Sequence, residues 1–141
     1  MIDTPGGIDP DHHLKISVND IAVPAPGLVA PSHAHAQAII DFAGRWDRAA
    51  PMLIHCYAGI SRSTAAALIV LCACEPPGQE ASLAGKMRAA APFARPNPLL
   101  ISSADAVLGR GGKLTEALLA MGNAELAWQG ELFRLSVTAP V

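Results

Sequence analysis

Cys56 and Arg62 are separated by five mostly small residues, Tyr57-Ala58-Gly59-Ile60-Ser61, with His55 immediately before and Ser63 and Thr64 immediately after. These types in this spacing suit one chemistry, attack by a thiolate on a bound tetrahedral anion. A thiolate is the reactive form of cysteine, and it is stabilised where main-chain N–H groups and a helix N-terminus converge. The same donors favour a phosphate. Arg62 adds a planar fork that takes two phosphate oxygens at once, a geometry lysine lacks. Gly59 lets the backbone turn and approach a ligand closely. The Ser63 hydroxyl is placed to donate to the sulfur, and Ser63 and Thr64 are good residues to start a helix. The bland alternative for Cys56 is a buried structural thiol, the common fate of free cysteine.

Such a loop needs a rigid element on each side. Met52-Leu53-Ile54 is a short apolar run that reads as a buried strand, and the alanine-rich segment from Ser63 to Cys74 reads as a helix, stopped by Glu75-Pro76-Pro77-Gly78. Upstream, Leu14-Lys15-Ile16-Ser17-Val18 alternates apolar and polar residues, the mark of a strand with one buried face. Asn19-Asp20 follows it, a pair that also serves turns. Further helices are expected from Ser32 to about Trp46, from Gln79 to Ala91, from Pro98 to Leu108 and from Leu114 to Met121. Leu132 to Val137 reads as a tail strand or an extended surface segment. Residues 1–13, rich in Gly, Pro, Asp and His, read as an irregular lead-in.

The sequence from His55 to Ser63 resembles the signature loop of the cysteine-dependent protein tyrosine phosphatases, in its compact, dual-specificity-like form, and the resemblance extends over about residues 14 to 120. It implies an α/β fold with a phosphatase-type central sheet flanked by helices, in one domain spanning residues 1–141: a lead-in to residue 13, a core over 14–122 and a C-terminal tail over 123–141. It also implies hydrolysis of phosphate monoesters, most readily phosphotyrosine in proteins, through a phosphocysteine intermediate and without a cofactor or metal. Cys56 would be the nucleophile. Arg62 and the loop Tyr57, Ala58, Gly59, Ile60 and Ser61 would hold the phosphate, and Ser63 would assist the departing sulfur. The leaving oxygen needs a proton from a carboxylic acid, and the acid of such enzymes follows a strand a few tens of residues before the cysteine, the place held here by Asp20. No Trp-Pro-Asp triplet accompanies it, which fits the dual-specificity form. His55 is expected to bond and tune the loop from behind. Asn97, in Arg95-Pro96-Asn97-Pro98, matches a turn that buttresses the loop, with Arg95 as a rim cation. Only nineteen residues precede Asp20, so the expected sheet is short of N-terminal strands, which a shortened start, a fragment or a homodimer over the exposed edge would each explain.

Composition excludes several other classes. A net charge of −2 provides no field for nucleic acid. Three cysteines at irregular spacing are no disulfide framework, and a reactive thiol requires a reducing compartment. The first residues lack the basic and apolar regions of a signal peptide, and the longest apolar run, Ala65 to Cys74, is too short to cross a bilayer. A cytoplasmic protein with no membrane partner is expected. His12 and His13, like His33 and His35, are spaced to face apart and make poor metal pairs. Cys72 lies ten residues along the helix from Arg62, on the order of 15 Å, too far to form a disulfide with Cys56. Gly109-Arg110-Gly111-Gly112-Lys113 lacks the flanking residues of a nucleotide-binding loop and reads as a helix stop. No lysine stands in the Cys56–Arg62 loop to meet the extra phosphates of an inositol lipid. Rhodaneses and arsenate reductases also use cysteine loops, but differ in the upstream acid or in the loop's place in the chain. The remaining alternative is a phosphate- or phosphoprotein-binding module of the same fold that no longer turns over.

Overall fold

Side chains that satisfy the free N–H groups of a helix start decide where most of the helices begin in the computed structural model, which describes residues 2–138. Helix α1 (His33–Arg45) follows Ser32, whose amide donates to His35 Nδ1 at 3.0 Å. That bond gives His35 a capping role. Helix α2 (Arg62–Cys74) is apolar almost all round, with Ala65, Leu68, Ile69, Val70, Leu71 and Cys72 buried. A helix of that kind must be enclosed, and α2 packs against α1, α3 (Glu80–Ala90) and α4 (Pro98–Leu108). Helix α4 also packs on α1 and on α5 (Lys113–Ala120), and α5 closes on α3.

Three buried charged side chains fix the connections. Asp105 on α4 accepts from the amides of Gly112, Leu114 and Thr115 at 2.8, 2.7 and 3.1 Å, so it caps α5 from a neighbouring helix. Arg110 pairs with Glu80 at 3.5 Å and donates to Cys72 O at 2.8 Å, joining the α4–α5 turn to the start of α3 and the end of α2. Gly109 ends α4 with φ +66, the left-handed conformation in which glycine meets no Cβ penalty.

The five expected helices are present, but the expected central sheet is not. Among the described residues the chain contains five α-helices and one short 3-10 turn, Pro10–His12, and no strand. The α/β assignment is therefore corrected to an all-helical fold. Leu14–Val18, Met52–Ile54 and Phe133–Val137 are extended, and their alternation does lay Leu14, Ile16, Met52, Ile54, Phe133, Leu135 and Val137 against the helical core. They share no main-chain hydrogen bonds with one another among the described residues. A sheet requires that ladder, whereas period-two alternation reports only that one side of an extended segment is covered. Met1 and the last three residues of the expected tail, 139–141, lie outside the described residues. Among the described residues no helix is long and apolar enough to cross a membrane.

Asp105→Ala strips three amides of their acceptor at a site only 5 % exposed. It should cost about 1–3 kcal/mol of stability, read from urea unfolding. An unchanged midpoint would contradict the capping role.

Candidate active site

The sharp turn between the extended segment 52–56 and α2 depends on Gly59, which has φ +75. Its amide donates to Cys56 Sγ at 3.3 Å. The carbonyls of this loop are drawn outward. Ala58 O accepts from Gly130 N at 2.7 Å, Ile60 O from Arg95 N at 2.9 Å, and Ser61 O from Asn97 N at 3.1 Å. Thr64 Oγ1 adds a bond to Ile60 O at 2.6 Å. Because a peptide is planar, an outward carbonyl turns the next amide inward. The Gly59 amide, which follows the Ala58 carbonyl, is turned to the sulfur in this way, and the Ser63 amide bonds the sulfur as well.

Cys56 Sγ is 3.2 Å from Ser63 Oγ, the thiol donating while protonated and the hydroxyl donating once the sulfur is ionised. Burial pushes the Cys56 thiol up, but the Ser63 hydroxyl and amide, the Gly59 amide and the Arg62 charge outweigh it and hold it below the ordinary cysteine value. The other two cysteines go the opposite way. Burial pushes Cys72 up to about 12 and also raises Cys74. Cys56 is therefore the chain's one thiol held below the ordinary cysteine value.

Arg62 is the first residue of α2, and its Nη1 donates to Val18 O at 2.9 Å. Its Nε is buried without a partner among the described residues. The contact with Val18 anchors the segment that leads to Asp20. Asp20 Oδ1 accepts from Ser61 Oγ at 2.6 Å and from Asn97 Nδ2 at 2.8 Å. Cys56, Arg62 and Asp20 line one open cavity of about 560 Å³, together with Tyr57, Ala58, Ile60, Ser61, Arg95 and Asn97. Among the described residues no three His, Cys, Asp or Glu side chains are grouped as metal ligands would be.

Most of the residues singled out in the sequence converge on this cavity, and the exceptions are informative. Ser63 sits beneath the sulfur. Gly59 contributes through its amide. Asn97 supports the loop through its main chain and reaches Asp20 with its side chain. Arg95 is exposed at the rim, and Tyr57 is 97 % exposed beside the cysteine. His55 is exposed and makes no side-chain hydrogen bond among the described residues, so the loop contact expected of it is not formed.

Two contributors escaped the sequence reading. Arg88 on α3 donates to five carbonyls, those of Ala91, Pro92, Ala94, Met121 and Gly122. It thereby holds the turn that presents Arg95 and Asn97. The segment 123–130 crosses the loop as a strap, with Glu125 N bonded to Pro92 O at 2.9 Å and Gly130 N to Ala58 O, and it brings Glu125 and Ala127 to the cavity. Gly130 lies so close to Gly59 and the Phe93 ring that a Cβ has no room. Arg88 looks in sequence like any exposed helix cation, and a single glycine in a tail carries no signal of a contact seventy residues away.

Comparison of the chain with protein-family models, with curated proteins and with solved structures finds no match in any of the three.

Two outcomes follow from this geometry. Alkylation of Cys56 by iodoacetamide should reach its full rate at lower pH than for an ordinary cysteine, and Ser63→Ala should move that midpoint upward; coincident midpoints would remove the hydroxyl from the account. Gly130→Ala should displace the strap or the loop, costing about 1–3 kcal/mol as an overpacked contact. Thermal unfolding and inorganic phosphate affinity, measured together, check it.

Proposed function

We propose that this protein hydrolyses phosphate monoesters through a phosphocysteine, most readily aryl phosphates such as phosphotyrosine. The observation that carries this reading is one cavity lined by a thiol held below its ordinary value, a guanidinium with an unpartnered buried Nε, and a carboxyl group. In the first step the Cys56 thiolate forms the S–P bond as the bond from phosphorus to the ester oxygen breaks. Asp20 supplies the proton to that oxygen, so the alcohol or phenol leaves neutral. The loop amides and the Arg62 guanidinium stabilise the equatorial oxygens as charge builds on them. In the second step water attacks phosphorus, Asp20 takes its proton, and the S–P bond breaks to return the thiolate and release inorganic phosphate. The Ser63 hydroxyl stabilises the sulfur as it departs.

The cavity is open and Tyr57 stands exposed at its side, an arrangement suited to a substrate presented on another protein or to a small aryl phosphate. A thiolate of this kind survives in a reducing compartment, and we assign the protein to the cytoplasm on that ground.

Cys56→Ser should lower aryl phosphate turnover by at least roughly 10³-fold while retaining phosphate binding. Asp20→Ala should lower it by about 10²–10⁴-fold with little change in phosphate affinity. Binding of phosphate by a wild type that does not turn over would leave only a binding module, and equal activity of wild type and Cys56→Ser would end the enzyme assignment.

A further inference from the structure

Asn97 makes two sets of contacts that require opposite ends of its amide. Its Oδ1 accepts from Leu99 N and Leu100 N at 3.1 and 3.0 Å and so caps α4. This fixes the orientation of the amide without ambiguity, since only an oxygen can take those bonds. Its Nδ2 must then face the other way, where it donates to Asp20 Oδ1 at 2.8 Å and to Ile21 O at 3.1 Å. The residue is 2 % exposed, so its own amide is shielded from water. Ser61 Oγ donates to the same Asp20 Oδ1 at 2.6 Å, and Ser61 O accepts from Asn97 N at 3.1 Å.

Building on the phosphatase reading, we infer that Asn97 and Ser61 are positioning residues for the acid: they clamp Asp20 by one carboxyl oxygen and so assign proton delivery to the other. Oδ1 is saturated by two donors, whereas Oδ2 accepts no hydrogen bond among the described residues. A proton on Oδ1 would have to displace one of the two donors. A proton on Oδ2 displaces nothing and remains available to the leaving oxygen. Asp20 is itself exposed at the end of an irregular segment, so without the clamp its carboxyl group would rotate freely and spend little time aimed at the substrate. The cap of α4 thus transmits the rigidity of a helix to a side chain on a loop.

The test uses leaving groups, because proton delivery matters in proportion to the basicity of the departing oxygen. Asn97→Ser keeps an oxygen able to cap α4 but lacks the reach of Nδ2. It should lower kcat for phenyl phosphate about 10-fold or more and change kcat for 2,4-dinitrophenyl phosphate, whose phenolate leaves without a proton, by less than about 2-fold. Adding Asn97→Ser to Asp20→Ala should cause no further loss with phenyl phosphate. Ser61→Ala, which leaves the main-chain contacts of the loop and every α4 contact in place, should lower kcat for phenyl phosphate by a larger factor than kcat for 2,4-dinitrophenyl phosphate, and it carries the test if Asn97→Ser fails to fold. Equal losses on both esters, or a further loss in the double variant, would show that these residues act on the phosphate loop and would overturn the clamp. A wild type inactive on both esters would remove the phosphatase reading and the clamp together, an outcome distinguishable from uniform loss in an active background.

Discussion

Three hydrogen bonds made behind the Cys56–Arg62 loop, at the carbonyls of Ala58, Ile60 and Ser61, are the constraint from which the rest of the site follows. A loop of small residues has no preferred direction for its amides. Anchoring its carbonyls to a surrounding frame supplies one, because each peptide plane carries donor and acceptor on opposite sides. The frame is assembled from two distant parts of the chain: the turn that presents Arg95 and Asn97 at the start of α4, and the strap ending at Gly130. Arg88 keeps the first in place by collecting the carbonyls that precede Arg95, and the edge-to-face pair of Phe93 and Phe133, with ring centroids 6.0 Å apart, backs the second.

The electrostatics of the sulfur depend on the same frame. Burial alone raises a thiol, as it does at Cys72 and Cys74. At Cys56 the donors gathered by the loop reverse the sign. Arg62 joins two parts of the site, its Nη1 holding Val18 O while the residue lines the cavity beside Cys56. The Val18 contact links the Cys56 loop to Asp20, since Val18 lies two residues before Asp20. The Arg62 guanidinium, the loop hydroxyl of Ser61 and the cap of α4 together hold Asp20 in place.

The sequence was informative where a local rule has a local cause. Asn97-Pro98, Ser32 and Gly109 mark helix ends because the capping chemistry is complete within a few residues, and the fall from an apolar run into His55-Cys56 marks the loop because a tight turn into a helix demands particular residue types. It misled where one signal has two causes. Alternation at Leu14–Val18 and Met52–Ile54 arises from half-burial, which an extended segment lying on helices shares with a paired strand, and only the missing ladder separates them. It was silent on contacts of long sequence separation. Neither the bond between Gly130 and Ala58 nor the gathering of carbonyls by Arg88 leaves a trace in the spacing of residues, and His55, conspicuous beside the cysteine, points to solvent instead of the loop.

The measurement closest to the chemistry is mass spectrometry of protein acid-quenched during turnover of an aryl phosphate, using Asp20→Ala so that hydrolysis of the intermediate is slowed. A phosphoryl group on the peptide containing Cys56, absent from the corresponding Cys56→Ser sample, is the expected result. Release of phosphate with no phosphoryl group on that peptide, or with the group on another residue, would contradict a thiolate nucleophile at Cys56.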